Sequence, residues 1–113
     1  KPRYQASVKS IHPGAIVVPG SNRVYTYPGD TLRVTFRNAT APRRVSQRYR
    51  VCFRGKGVSR CRTRTLTGSN RDTWRLRVIG SWVPCGRRND IRFSWSVGGR
   101  IVATRRAWIY ECV

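Results

Sequence analysis

Carboxylates are nearly missing from this chain. Only Asp30, Asp72, Asp90 and Glu111 carry one, against 24 Lys and Arg, and the 113 residues hold a formal net charge of +20. So much like charge on one small chain repels itself, which points to an anionic partner held close by, or to charge that serves another purpose such as solubility. Lysine is scarce too: Lys1, Lys9 and Lys56 are the only three. The remaining cations are arginines, whose planar forks suit phosphate, sulfate and carboxylate. Codon usage in a GC-rich genome accounts for Arg over Lys, but not for the shortage of acids.

The same scarcity limits catalysis. His12 is the single histidine, and it stands in a His-Pro-Gly turn. Asp30 and Asp90 read as turn residues, Asp72 as a strand-edge residue, and Glu111 adjoins Cys112. A His12–Glu111 acid/base pair, with arginine holding a phosphate, defines a ribonuclease-like alternative, but no spacing supports it. No catalytic residue, metal site or cofactor is expected from such a set. A glycine-rich phosphate loop is lacking, and so is any RNA-recognition, helix-turn-helix or zinc-finger signature. No apolar run approaches the roughly 18 residues of a membrane-spanning helix. Methionine is absent altogether. Asn38-Ala39-Thr40 forms a glycosylation sequon, meaningful only in a eukaryotic secretory pathway. The chain opens at Lys1 rather than Met, as expected of a processed, exported protein or an excised piece of one.

What is present is a foldable core. Hydrophobic residues make up 39% of the chain, with four Trp, five Tyr and three Phe, so this is no disordered basic tail. The length predicts one domain over residues 1–113. Cys52, Cys61, Cys85 and Cys112 form an even set without the close pairs of a zinc site. Two disulfides are expected, with free buried thiols as the alternative. Disulfides imply an oxidising compartment.

Alternation of period two runs through most of the sequence. Leu32, Val34 and Phe36 oppose Arg33, Thr35 and Arg37. Tyr49, Val51 and Phe53 oppose Arg48, Arg50, Cys52 and Arg54. Trp74, Leu76 and Val78 oppose Arg75 and Arg77, and Ile91, Phe93, Trp95 and Val97 oppose Arg92, Ser94 and Ser96. This is the pattern of antiparallel sheet covered on one side. Less regular strands are expected at Tyr4–Ile11, Ala15–Val18, Val24–Tyr27, Val58–Leu66 and Ile101–Tyr110, with Gly- and Pro-rich turns between. No segment reads as a helix. The fold class is all-β.

Two hairpin registers bear on the cysteines. A two-residue turn at Lys56-Gly57 sets Cys52 opposite Cys61. A turn at Gly98-Gly99 sets Val97 opposite Arg100 and, carried outward, Cys85 opposite Cys112. Facing residues lie within disulfide reach. The second register also puts Arg106 on the apolar face beside Ile91. A bulge near Thr104–Ala107 would cure that and spoil the Cys85–Cys112 match.

The segment Tyr27-Pro28-Gly29-Asp30-Thr31-Leu32-Arg33-Val34-Thr35-Phe36-Arg37-Asn38, with the alternating strands after it, resembles the second strand and later strands of immunoglobulin-like and fibronectin-type-III-like modules. The resemblance implies an antiparallel β-sandwich of about seven to nine strands. It also implies recognition, adhesion or assembly more than catalysis. In the usual sandwich order, Arg33 and Arg37 neighbour Arg75 and Arg77 on one outer face. Arg48, Arg50 and Arg54 neighbour Arg92 on the other, beside Arg60, Arg62 and Arg64. The doublets Arg43-Arg44, Arg87-Arg88 and Arg105-Arg106 lie near strand ends. The predicted contact region is Arg43, Arg44, Arg48, Arg50, Arg54, Lys56, Arg60, Arg62 and Arg64, with Arg92.

Trp74 and Trp95 fit the core phase. Trp82 and Trp108 have less clear phase: they read first as caps of a sandwich end, with stacking of an exposed Trp beside Arg on bases or sugars as the lesser alternative. The leading expectation is a secreted, non-catalytic module that binds a polyanion: acidic glycan, nucleic acid or anionic lipid. The alternative is a self-assembling subunit of a fibre, pilus-like filament or coat. There, strands within residues 1–27 pair at a sheet edge or exchange with a neighbour to build a homo-oligomer.

Overall fold

The computed structural model describes residues 3–10, 23–26, 29–40, 46–66, 70–79, 82 and 89–109. They form eight strands: β1 (Tyr4–Ser10), β2 (Arg23–Thr26), β3 (Thr31–Asn38), β4 (Gln47–Gly55), β5 (Val58–Leu66), β6 (Arg71–Arg77), β7 (Asn89–Val97) and β8 (Arg100–Ile109). Two sheets result, ordered β1-β3-β6 and β2-β8-β7-β4-β5. All pairings are antiparallel except that of the short β2, which runs parallel to β8. The two N-terminal strands therefore part company. β1 edges the small sheet and β2 edges the large one.

Alternation places the core between the sheets. Leu32, Val34 and Phe36 of β3 meet Tyr49, Val51 and Phe53 of β4 and Ile91, Phe93 and Trp95 of β7, all essentially buried. Aromatic rings join the layers. Phe36 lies 4.5 Å from Tyr49 and 6.5 Å from Trp95 between ring centres, and Phe53 lies 5.6 Å from Trp82. Trp82 and Trp108 are buried, at 2% and 8% exposure, so neither offers a stacking platform. Trp82 belongs to the core cluster, whereas Trp108 stands opposite Asp90 and outside that cluster.

Both hairpin turns fall where the glycines put them. Gly98 and Gly99 both take positive φ, as a tight two-residue turn of type I′ demands. At the other turn Gly57 has φ 77°, and Cys52 faces Cys61 across β4 and β5. The two are joined by a disulfide with 4.0 Å between Cα atoms. Asn89 locks this end of the sandwich. Its side chain accepts from Lys56 N at 2.9 Å and donates to Lys56 O at 2.8 Å and to Trp82 O. A Cβ added at Gly55 would meet Ile91 Cδ1 at 2.6 Å and Asn89 Oδ1 at 2.9 Å, so the strand passes there only because it is glycine.

The bulge is present, but nearer the turn than expected. Val97 faces Arg100 and Ser96 faces Ile101, then Trp95 faces Ala103, so Val102 is the extra residue. The shift brings Ala107, fully buried, opposite Ile91 and turns Arg106 outward beside Arg92. The register that matched Cys85 to Cys112 does not survive this shift. Both cysteines lie outside the described residues, as do His12, Arg43, Arg44, Arg87, Arg88, Glu111 and the strand expected at Ala15–Val18.

Candidate functional site: two cationic faces and a sealed flank

The arginines divide into three sets by strand parity. On the outer face of the large sheet, Arg54, Arg92 and Arg106 stand in one row across β4, β7 and β8. Neighbouring strands lie about 5 Å apart, so three guanidinium groups root within about 10 Å. The next row holds the disulfide, Ser94 and Thr104, followed by Arg50 with Thr63 and Ser96, then Arg48 opposite Thr65. The expected neighbours Arg48, Arg50, Arg54 and Arg92 thus share a face, and Lys56 is exposed at the adjoining turn. Asp90 answers Arg106 at 3.8 Å, with both side chains 45% exposed, an ion pair worth little in water.

Arg60, Arg62 and Arg64 are not on that face. Cys52 facing Cys61 sets Arg60 opposite Phe53, Arg62 opposite Val51 and Arg64 opposite Tyr49, so all three project from the inner side of edge strand β5. There the five-stranded sheet overhangs the three-stranded one. Arg60 lies over Trp82 at 5.9 Å, and Arg62 and Arg64 lie over Trp74 at 5.0 and 5.6 Å. Guanidinium on an indole face is attractive, and the aliphatic stems cover apolar surface. These arginines close the open flank of the sandwich, and their charge also discourages pairing at the β5 edge.

Arg64 anchors the flank. Its Nε donates to Asp72 Oδ2 at 2.7 Å, and the Tyr49 hydroxyl donates to the same oxygen at 2.6 Å. Burial opposes ionisation of Asp72. The hydrogen bonds from Arg64 and Tyr49 and the guanidinium charge outweigh it, holding the carboxyl below the usual carboxylate range. Burial, then the bond to the Asp72 carboxylate, pushes the Tyr49 phenol above its ordinary value. A part-buried carboxylate held by one cationic and one neutral donor is a structural fastener rather than a proton carrier.

The third set belongs to the outer face of the small sheet. Across β1, β3 and β6, Lys9 stands beside Arg33 and Arg33 beside Arg75, while Arg37 stands beside Arg71. Between these two cationic rows lie Ser7, Thr35 and Thr73, with the two threonine hydroxyls 3.1 Å apart. The residues border a shallow trough of about 660 Å³, which Arg105 of β8 reaches from the side. Among the described residues, no Asp or Glu projects from this face. Arg37 Nε is buried there and meets no acceptor among them.

No protein-family model, curated protein or solved structure matches the chain. Local chemistry must therefore carry the functional argument. Among the described residues no group of three His, Cys, Asp or Glu gathers to hold a metal. Asn38 of the sequon is buried, its amide donating to Gln47 at 3.2 Å and its carbonyl accepting from Thr40, so this side chain is engaged in the fold. The trough on the small sheet was not singled out from sequence. The alternation of Arg33, Thr35 and Arg37 against Arg71, Thr73 and Arg75 was the available signal.

Proposed function

We propose that this chain is a strongly basic, non-catalytic binding module for polyanions, built on an immunoglobulin-like sandwich and working outside the cytoplasm. The carrying observation is that both outer faces present arginine rows with a single carboxylate, Asp90, to answer them among the described residues. Fields of one sign raise local counter-ion concentration and steer charged polymers to the surface. The strand order supports the immunoglobulin-like reading: β3 and β6 correspond to strands B and E, and β8, β7, β4 and β5 to G, F, C and C′. In that scheme the place of the inter-sheet disulfide is taken by the Phe36–Trp95 stack. The Cys52–Cys61 disulfide fits an oxidising, exported setting.

A second reading, a subunit that assembles by exchanging its N-terminal strand, requires β1 to leave β3, with which it pairs from Tyr4 to Ser10. The binding reading needs no such rearrangement. Heparin retention and duplex DNA titration test it. Neutralising about six phosphates gives a slope of log K against log salt near −5. Replacing Arg48, Arg50 and Arg54 together by Ser should weaken binding of every polyanion alike. Failure to bind heparin or DNA at low salt would remove the proposal.

A further inference from the structure

We infer that the trough on the three-stranded sheet is a subsite for an anionic glycan, and that it gives the module a preference for sulfated polysaccharide over nucleic acid. This rests on the polyanion reading above and adds to it a site and a ligand class. The trough differs from the opposite sheet in having paired cations on both sides of an unbroken hydroxyl row, where the large sheet has the disulfide in its middle row and Arg50 alone beyond it. It alternates charge and hydroxyl along the strand direction. Arg33 and Arg37 are four residues apart on β3, about 14 Å. The row between them is Ser7, Thr35 and Thr73, which is neutral and hydrogen-bonding.

A ligand that matches must carry anionic groups at intervals and hydroxyls between them. A sulfated sugar chain does so. In the Thr35–Thr73 pair one hydroxyl proton bridges the two oxygens, which leaves the other free to donate and lone pairs free to accept. Sugar hydroxyls use both. At the ends, guanidinium forks take sulfate oxygens in pairs. Arg37, whose Nε meets no acceptor among the described residues, forms no ion pair among them that binding would have to break. Single-stranded nucleic acid fits less well. It carries a phosphate at every unit, so intermediate charges would fall on the neutral row. The face also has no aromatic side chain at any outward position of β1, β3 or β6, so bases have nothing to stack on. A lipid surface is disfavoured too, since no large apolar side chain projects there.

The test compares a sparsely sulfated chondroitin oligosaccharide with single-stranded DNA of equal charge, each titrated at fixed salt against four proteins. Thr35→Val with Thr73→Val removes hydroxyls at constant charge and shape on strand positions that valine suits. This variant should bind the oligosaccharide about fivefold more weakly, the loss expected for one or two neutral hydrogen bonds, and DNA unchanged. Arg33→Ser with Arg37→Ser should reduce the oligosaccharide more than DNA. Arg54→Ser with Arg92→Ser, on the other sheet, should reduce both equally. Thermal melting of each variant confirms that it is folded. Equal binding of both ligands by the unaltered protein would overturn the inference and leave the general polyanion reading intact. So would a valine pair without effect, or one that weakens both ligands alike. Absence of binding to either ligand at low salt would overturn both.

Discussion

The flank between β5 and β6 and the outer face of β1-β3-β6 are both built from arginine on alternate strand positions, yet the two regions use it oppositely. On the flank, Arg62 and Arg64 lie over Trp74, and Arg64 is bound to Asp72. On the face, Arg33 stands beside Arg75 and Arg37 beside Arg71, like charge against like. One arrangement is complete within the fold, and the other sets like charge beside like. Stability at one site and repulsion at the other, from the same residue type, means that composition alone could not tell the two apart. Only the orientation of each strand does.

Removing the indole platform should separate the regions most sharply. Trp74→Ala takes the ring from under Arg62 and Arg64 and opens the core, with an expected loss of about 3–5 kcal/mol in denaturant unfolding. Glycan affinity per folded molecule should stay unchanged, because the trough does not include Trp74. If affinity falls with stability, flank and face are not independent. Reduction of the Cys52–Cys61 disulfide comes next. It should cost about 2–4 kcal/mol, read from melting with and without reductant.

The fastener predicts a pH dependence at both ends of the scale. The Asp72 carboxyl is held below its ordinary value. Its contribution is therefore fully present above the unfolded carboxylate range near pH 4 and is lost as pH falls through the folded value. The Tyr49 phenol is raised. Its contribution is full below about pH 10 and declines at higher pH, where the unfolded chain ionises first. Asp72→Ala should cost about 2 kcal/mol at neutral pH and flatten the acid limb of a stability profile. Tyr49→Phe should flatten the alkaline limb and, by removing one of the bonds that hold Asp72 down, soften the acid limb as well. Smallest is the effect on the face. Arg33→Thr removes a like-charge neighbour of Lys9 and Arg75 and should raise stability by a few tenths of a kcal/mol at low salt, vanishing in high salt. A loss there would show that this face is more fully compensated than its neighbours suggest.

Much of the fold was legible because period-two patterning speaks directly about sheet. β3 and β5 begin and end at the residues expected, and the Lys56-Gly57 turn fixed the disulfide partner of Cys52. The faces of β5 were harder. Its arginines oppose Ser59, Cys61 and Thr63, so the strand has no apolar side to declare which way is in. The hairpin register contained the answer, since Cys52 facing Cys61 obliges Arg62 to face Val51. The expectation of an outward cation overrode it. Asn89 was illegible for another reason. Its value lies in a contact 33 residues away at Lys56, and no local pattern announces a side chain that caps a distant turn.

The extra residue at Val102 has a consequence for how this strand tolerates change. A β-strand is written in a frame of two letters, inside and outside, and Val102 is a one-letter frameshift within it. Upstream and downstream of that point the same spelling means opposite faces. Deleting Val102 would remove the frameshift and leave Ala103 facing Trp95, so Arg106 would stay outward and Ala107 inward. Adding one residue between Thr104 and Arg106, with Val102 kept, would shift the frame a second time and turn Arg106 inward. The length of β8, not only its chemistry, is what keeps its arginines on the surface.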